Sequence, residues 1–157
     1  MEQNVHATYY LLPSALFVTK QPHHVTTILG SCVAVCLYDF ELGYGGINHF
    51  MLPLWNGREL ASPKYGNVAI RKLFDKMLEM GCRRENIIAK VFGGGDILNI
   101  NLDQFNIGER NIEIARESLR ELNIRITGES VGGTKGRKIV FDTKTGMVNM
   151  KYIEKSQ

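Results

Sequence analysis

The chain has 157 residues, 44% of them apolar and 22% charged, with a formal net charge of +3. A chain of this size buries roughly 68–70% of its unfolded surface, so 1–157 is expected to be one domain that needs no disulfide or metal staple. No tract clusters Lys and Arg as a nucleic-acid surface would, no apolar run approaches the ~18 residues of a membrane span, and three cysteines do not make a disulfide scaffold. The opening MEQNVHATYYLLPSALFVTK lacks a basic leader, a continuous apolar stretch and a small-residue cleavage site, so a reducing cytoplasm is expected.

Residues 1–12 are weakly patterned and contain His6, while His23 and His24 follow Pro22 in a stretch that reads as loop. In SCVAVCLYD, Val33, Val35 and Leu37 alternate with Ala34, Cys36 and Tyr38. Both faces are apolar, as in a strand covered on two sides. FELGYGG is a glycine-rich turn, and INHFML a second strand stopped by Pro53, so the two form an antiparallel hairpin. Residues 62–80 read as a helix, with Ser62 and Pro63 at its start, Ala69, Leu73, Met77 and Met80 along one stripe, and Gly81 as its stop. NIIAKVFGG is a strand, and a second helix spans about 108–122 with Ile112, Ala115, Leu119 and Leu122 on one face. IRITGESVGG and RKIVFDTKTGMVNMKYI supply further strands with TKTG as a hairpin turn, and the closing EKSQ is expected to fray. The sum is a mixed α/β chain with two helices and many short strands.

A nucleophilic cysteine needs a group that takes its proton, and a third polar group to hold that base. Of the four histidines, His49 lies on the strand returning beside the one that begins near Cys32. Cross-strand and diagonal neighbours are ~5–8 Å apart, so Cys32 and His49 can meet if the register, or a bulge at Gly43, Gly45 or Gly46, cooperates. Thr26 and Thr27 both offer a hydroxyl to orient the imidazole, and Gly30 permits a sharp turn whose free amides would form an oxyanion hole. Burial as a small hydrophobe is the competing reading of Cys32, and the preferred one for Cys36 and Cys82. Zinc held by Cys32, Cys36, His49 and His23 or His24 is disfavoured. Two cysteines four apart on a strand stand ~13 Å apart, too far for one tetrahedral site. GGGD at 93–96 and GGTKGRK at 132–138 lack nucleotide-loop spacing and read as turns bringing backbone against backbone.

TTILGSCVAVCLYD followed by GGINHFMLP resembles the CheD family of chemoreceptor glutamine deamidases. The likeness continues through YGNVAIRKLFDKMLEMG, IIAKVFGGG, IGERNIEIARESLRELNI and GGTKGRKIVFDTKTGMV, covering roughly residues 12–152. GGGDILNIN departs from it, since relatives more often carry Ala and an apolar residue after Gly-Gly. The resemblance implies a layered α/β-β/α fold with mixed sheets, similar to the catalytic domain of cytotoxic necrotizing factor toxins. It implies catalysis by Cys32, His49 and Thr26, the threonine being placed by the T-x-x-L-G-S-C run, with no metal or organic cofactor. The implied reaction is hydrolysis of glutamine side chains on the cytoplasmic helices of a chemoreceptor, with action on γ-glutamyl methyl esters in some members. CheC, a phosphatase of the response regulator, is the implied partner; neither nucleic acid nor membrane insertion is implied. A non-catalytic regulator of a CheC-type phosphatase and a cysteine protease are the alternative readings.

Overall fold

The computed structural model describes residues 6–98 and 106–154. Its elements run β1 (Ala7–Tyr10), β2 (Leu16–Thr19), β3 (His23–Leu29), β4 (Val33–Asp39), β5 (Tyr44–Asn48), α1 (Gly66–Glu79), β6 (Ile87–Gly93), α2 (Ile107–Glu121), β7 (Arg125–Val131), β8 (Gly136–Asp142) and β9 (Val148–Ile153). Four strands form one sheet in the order β1-β3-β8-β9, and five form another in the order β2-β5-β4-β6-β7. Among the described strand pairs only β1·β3 and β6·β7 are parallel.

β4 is the central wall. Val33, Val35 and Leu37 pack against Ala69, Ile70, Leu73 and Met77 of α1 and Ile112, Ala115 and Leu119 of α2. Ala34 and Cys36, on the other face, join Ile47 and Phe92 against Val25, Leu29, Ile139 and Phe141 of the four-stranded sheet. The two-sided apolar pattern thus reports a strand between a helical layer and a second sheet. Both described helices cover the five-stranded sheet, so the described residues form one helical layer rather than the two of an α/β-β/α sandwich. The outer face of the four-stranded sheet carries His24, Thr26 and Lys138, all partly exposed, and this polar alternation needs no covering helix.

The β4–β5 hairpin forms, pairing Asp39 with Tyr44 and Cys36 with Ile47, but its turn is shorter than FELGYGG: Tyr44, Gly45 and Gly46 belong to β5, which holds only the first two residues of INHFML. The Gly81 stop, at φ +102°, and the 143–146 turn, closed by the Gly146 amide on the Asp142 carbonyl at 2.8 Å, form as expected. Helix α1 starts three residues later than Pro63 suggests. The Lys64 carbonyl accepts from the Met51 and Leu52 amides, so the segment before Gly66 is spent on pairing. Helix α2 is capped by Asn106, whose side chain accepts from the Glu109 amide at 3.1 Å. β1 and β2 lie in segments too short and mixed to show a period, and His23 and His24 open β3 instead of lying in a loop. The end of the expected frayed tail (155–157) and residues 99–101 of GGGDILNIN lie outside the described residues.

Phe141 is fully buried between the two sheets. Replacing it with Ala leaves a cavity there, and Phe141→Ala is expected to cost about 3–5 kcal/mol, read as a lowered urea midpoint with unchanged slope.

Candidate active site

Beyond Cys36·Ile47 the hairpin opens without losing register. The Val35 amide donates to the Asn48 side chain at 2.9 Å, and pairing resumes at Val33·Phe50 through backbone bonds of 3.1 and 2.9 Å. The inserted Asn48 amide replaces the bulge that the glycines suggested. In this register Ala34 faces His49, and Cys32 stands diagonal to His49 on the same face, the one turned toward the other sheet. His49 is 2% exposed, whereas Cys32 is partly exposed at the strand mouth.

The imidazole is held from the opposite sheet. Thr27 Oγ1 lies 2.7 Å from His49 Nδ1 and donates to the Leu11 carbonyl at 2.8 Å. A hydroxyl has one proton, and the carbonyl takes it, so Nδ1 must carry the hydrogen of the second bond. That fixes the tautomer and leaves Nε2 a bare lone pair. Nε2 is buried and has no hydrogen-bond partner among the described residues. Thr26, the threonine implied by the family resemblance, does not meet His49. Successive strand residues face opposite ways, and Thr26 lines the outer surface with Thr8, Tyr10, Ile28 and Lys138. Thr27, the other hydroxyl considered, is the contact.

No hydrogen bond joins Cys32 to His49 in this structure. Burial raises the Cys32 thiol above its ordinary value, partly offset by its own backbone amide. Burial also lowers His49 to about 4. Both groups are therefore neutral near pH 7, and the site holds no resting thiolate–imidazolium ion pair. Cys36 and Cys82 are buried; burial, with a further push from Asp39, takes Cys82 up to about 12. Neither belongs to the site, and no cysteine joins a metal-type cluster among the described residues.

Three successive carbonyls before β4 are tied down. The Gly30 carbonyl accepts from the Gly95 amide at 2.9 Å, and the Cys32 carbonyl from the Gly94 amide at 2.9 Å. Between them, Asn111 Nδ2 donates to the Ser31 carbonyl at 2.9 Å and to the Met51 carbonyl at 3.1 Å. The Ser31 and Cys32 amides donate to no backbone carbonyl among the described residues. The GGGD turn does bring backbone against backbone. A Cβ at Gly93, whose φ is +109°, would stand 2.2 Å from the Cys32 oxygen, and one at Gly108 would stand 2.5 Å from the Gly94 oxygen. Arg137, 2% exposed, steadies the turn from below, donating to Ser130 Oγ at 3.0 Å and to the Gly93 carbonyl at 3.4 Å. Sequence reasoning passed over Asn111 and Arg137. Asn111 did leave a trace, a polar residue inside the stripe Gly108, Ile112, Ala115, Leu119.

Fold and site together define a two-sheet α/β protein with an imidazole held by a hydroxyl across the sheet interface and a partly exposed cysteine at the mouth of β4. The family model described as CheD chemotactic sensory transduction matches residues 51–152, and relatives align over most of the chain; the chain belongs to the CheD family. It is 50% identical over 140 residues to the "Probable chemoreceptor glutamine deamidase CheD" of Trichlorobacter lovleyi, covering 89% of this chain and 87% of that one. A protein of the same description from Sulfurimonas denitrificans is 48% identical over 149 residues, covering 94% and 96%. Another from Methanococcus vannielii is 35% identical over 135 residues, covering 85% and 88%. The crystal structure of the Bacillus licheniformis hypothetical protein YfiH aligns at a TM-score of 0.43 and 18% identity, covering 69% of this chain and 49% of that one. That likeness is too distant to bear on the site.

Asn111→Ala removes both carbonyl contacts and is expected to lower stability by about 1–3 kcal/mol in urea unfolding, with Cys32 alkylated faster in the native state. His49 adds a pH signature. Its folded value of about 4 lies below the ordinary 6.5, so between these values the unfolded chain binds more protons. The stability it contributes is complete above about pH 6.5 and lost as pH falls toward 4, about 3 kcal/mol in all. Urea midpoints at pH 7 and pH 4.5 are expected to differ less for His49→Gln than for the parent.

Proposed function

We propose that this chain is a protein-glutamine deamidase, converting glutamine side chains on the cytoplasmic helices of a chemoreceptor to glutamate and ammonia. The relatives' descriptions support the reaction and substrate, and one observation carries the chemistry: His49 is held as the Nδ1–H tautomer with a buried Nε2 that has no partner among the described residues, on the face it shares with Cys32.

Cys32 Sγ attacks the amide carbon while His49 Nε2 takes the thiol proton. Because thiol and imidazole are both neutral at rest, proton transfer accompanies attack. The growing imidazolium is steadied by Thr27 Oγ1 accepting from Nδ1. The carbonyl oxygen becomes an oxyanion, and the Ser31 and Cys32 amides, which meet no backbone carbonyl among the described residues, supply its donors, each worth about 3–4 kcal/mol. Collapse returns the proton to nitrogen, releases ammonia and leaves a thioester. The same Nε2 then draws a proton from water, which attacks the thioester and gives glutamate and the free thiol. A γ-glutamyl methyl ester fits the same path with methanol leaving.

The whole chain acts as one catalytic domain in the cytoplasm, and its two-sheet arrangement is of the cytotoxic necrotizing factor kind. A CheC-type phosphatase is its regulatory partner. Among the described residues no helix is long and apolar enough to cross a membrane, in keeping with a receptor tail reached from solution. The relatives' descriptions lend no support to a purely non-catalytic role.

Incubation with a receptor cytoplasmic fragment is expected to add about 1 Da per converted glutamine, read by peptide mass spectrometry. Cys32→Ala is expected to abolish conversion, and conversion at the parent rate would overturn the reading. Thr27→Val is expected to slow it roughly 10–100-fold, a typical loss for a group that orients a reacting side chain, while Thr26→Val keeps the parent rate.

A further inference from the structure

A second cluster lies on the outer face of the four-stranded sheet, away from Cys32. His24, the second residue of β3, is paired directly with Asp142, the last residue of β8. His6 immediately precedes β1, which runs parallel to β3 with Thr8 beside His24. Here His6 Nδ1 lies 3.1 Å from His24 Nε2, His6 Nδ1 lies 3.5 Å from Asp142 Oδ1, and His24 Nε2 lies 3.5 Å from Asp142 Oδ2.

Those separations approach the spacing of ligand atoms round one ion, the two ring nitrogens standing slightly closer and Asp142 turning one oxygen toward each ring. Bonds of ~2.0–2.2 Å from a tetrahedral centre put neighbouring donors roughly 3.3–3.6 Å apart. One donor from each side chain falls within 4.8 Å of the other two, and no other group of three or more His, Cys, Asp or Glu does so among the described residues. The side chains are 17%, 44% and 21% exposed, half-sunk but open to solution. The Lys144 amide donates to Asp142 Oδ1 at 2.9 Å and holds the carboxylate in place, as the partners of metal-bound carboxylates do. Two neutral imidazoles and a carboxylate form a donor set suited to zinc and its divalent first-row neighbours.

We propose that His6, His24 and Asp142 bind a divalent first-row metal ion, zinc in kind, with water in the remaining position. The ligands come from before β1, the start of β3 and the end of β8, so the ion ties the short edge strand β1 to two strands of its sheet. Leu11, one residue past β1, accepts the Thr27 hydrogen bond. The ion therefore also steadies the strand that orients His49. It takes no part in the chemistry at Cys32.

Zinc titration by calorimetry tests this on the full chain carrying Cys32→Ala, which removes the one accessible thiol. One saturable site per chain is expected. His6→Ala, His24→Ala and Asp142→Asn should each weaken it at least about 10-fold, whereas His23→Ala should leave it unchanged. Cobalt(II) in the same site should show d–d absorption without a sulfur charge-transfer band. Zinc should raise the thermal midpoint of the parent but not of His6→Ala, whose substitution lies outside every strand and spares the fold. Absence of saturable binding, or binding that survives all three substitutions, would overturn the proposal.

Discussion

A single proton on the Thr27 hydroxyl decides what the site can do. Leu11 offers only a lone pair, so that proton goes to the carbonyl and the imidazole must bring its own to Nδ1. Everything useful at Nε2 follows from this. The arrangement needs the end of β1, the middle of β3 and the residue after β5 at fixed separations, and the two packed sheets provide them. An isolated hairpin bearing Cys32 and His49 would lack the hydroxyl that selects the tautomer.

The site carries a cost that a purely structural core would avoid. A buried ring nitrogen without a partner among the described residues is unfavourable for folding. Surrounding bonds offset it: three consecutive carbonyls are anchored by the Gly94 and Gly95 amides and by Asn111, and Arg137 holds the turn that supplies those amides. Cys32 is placed by its backbone, and no hydrogen bond to another described residue holds its thiol.

The elements with long, clean periods were legible in the residues. β4 announced its two apolar faces, α1 and α2 their stripes, and the glycines at 81 and 93–95 their turns. Cys32 and His49 could be paired because they belong to one hairpin, where register is local. The third member could not be settled that way. Thr26 and Thr27 differ by one residue, and only the burial of Val25, Thr27 and Leu29 against the other sheet shows which faces inward. Asn111 and Arg137 act across long sequence separations, and β1 and β2 are four-residue strands formed by pairing with distant partners. Such features become visible only when the sheets assemble.

β1 has a single neighbour in its sheet, and all four of its residues are exposed. Edge segments of this kind open far more cheaply than a whole domain unfolds. Detaching β1 would leave the helical layer and most of the sheet interface in place. Leu11, one residue further on, is fully buried and tied by its amide to the Thr26 carbonyl, so opening must run past the strand before the Thr27 proton is free to point at the ring and allow the other tautomer. The acceptor at Nε2 is thus guarded by a single buried residue behind an exposed edge strand, and losing it would leave nearly all of the remaining structure in place.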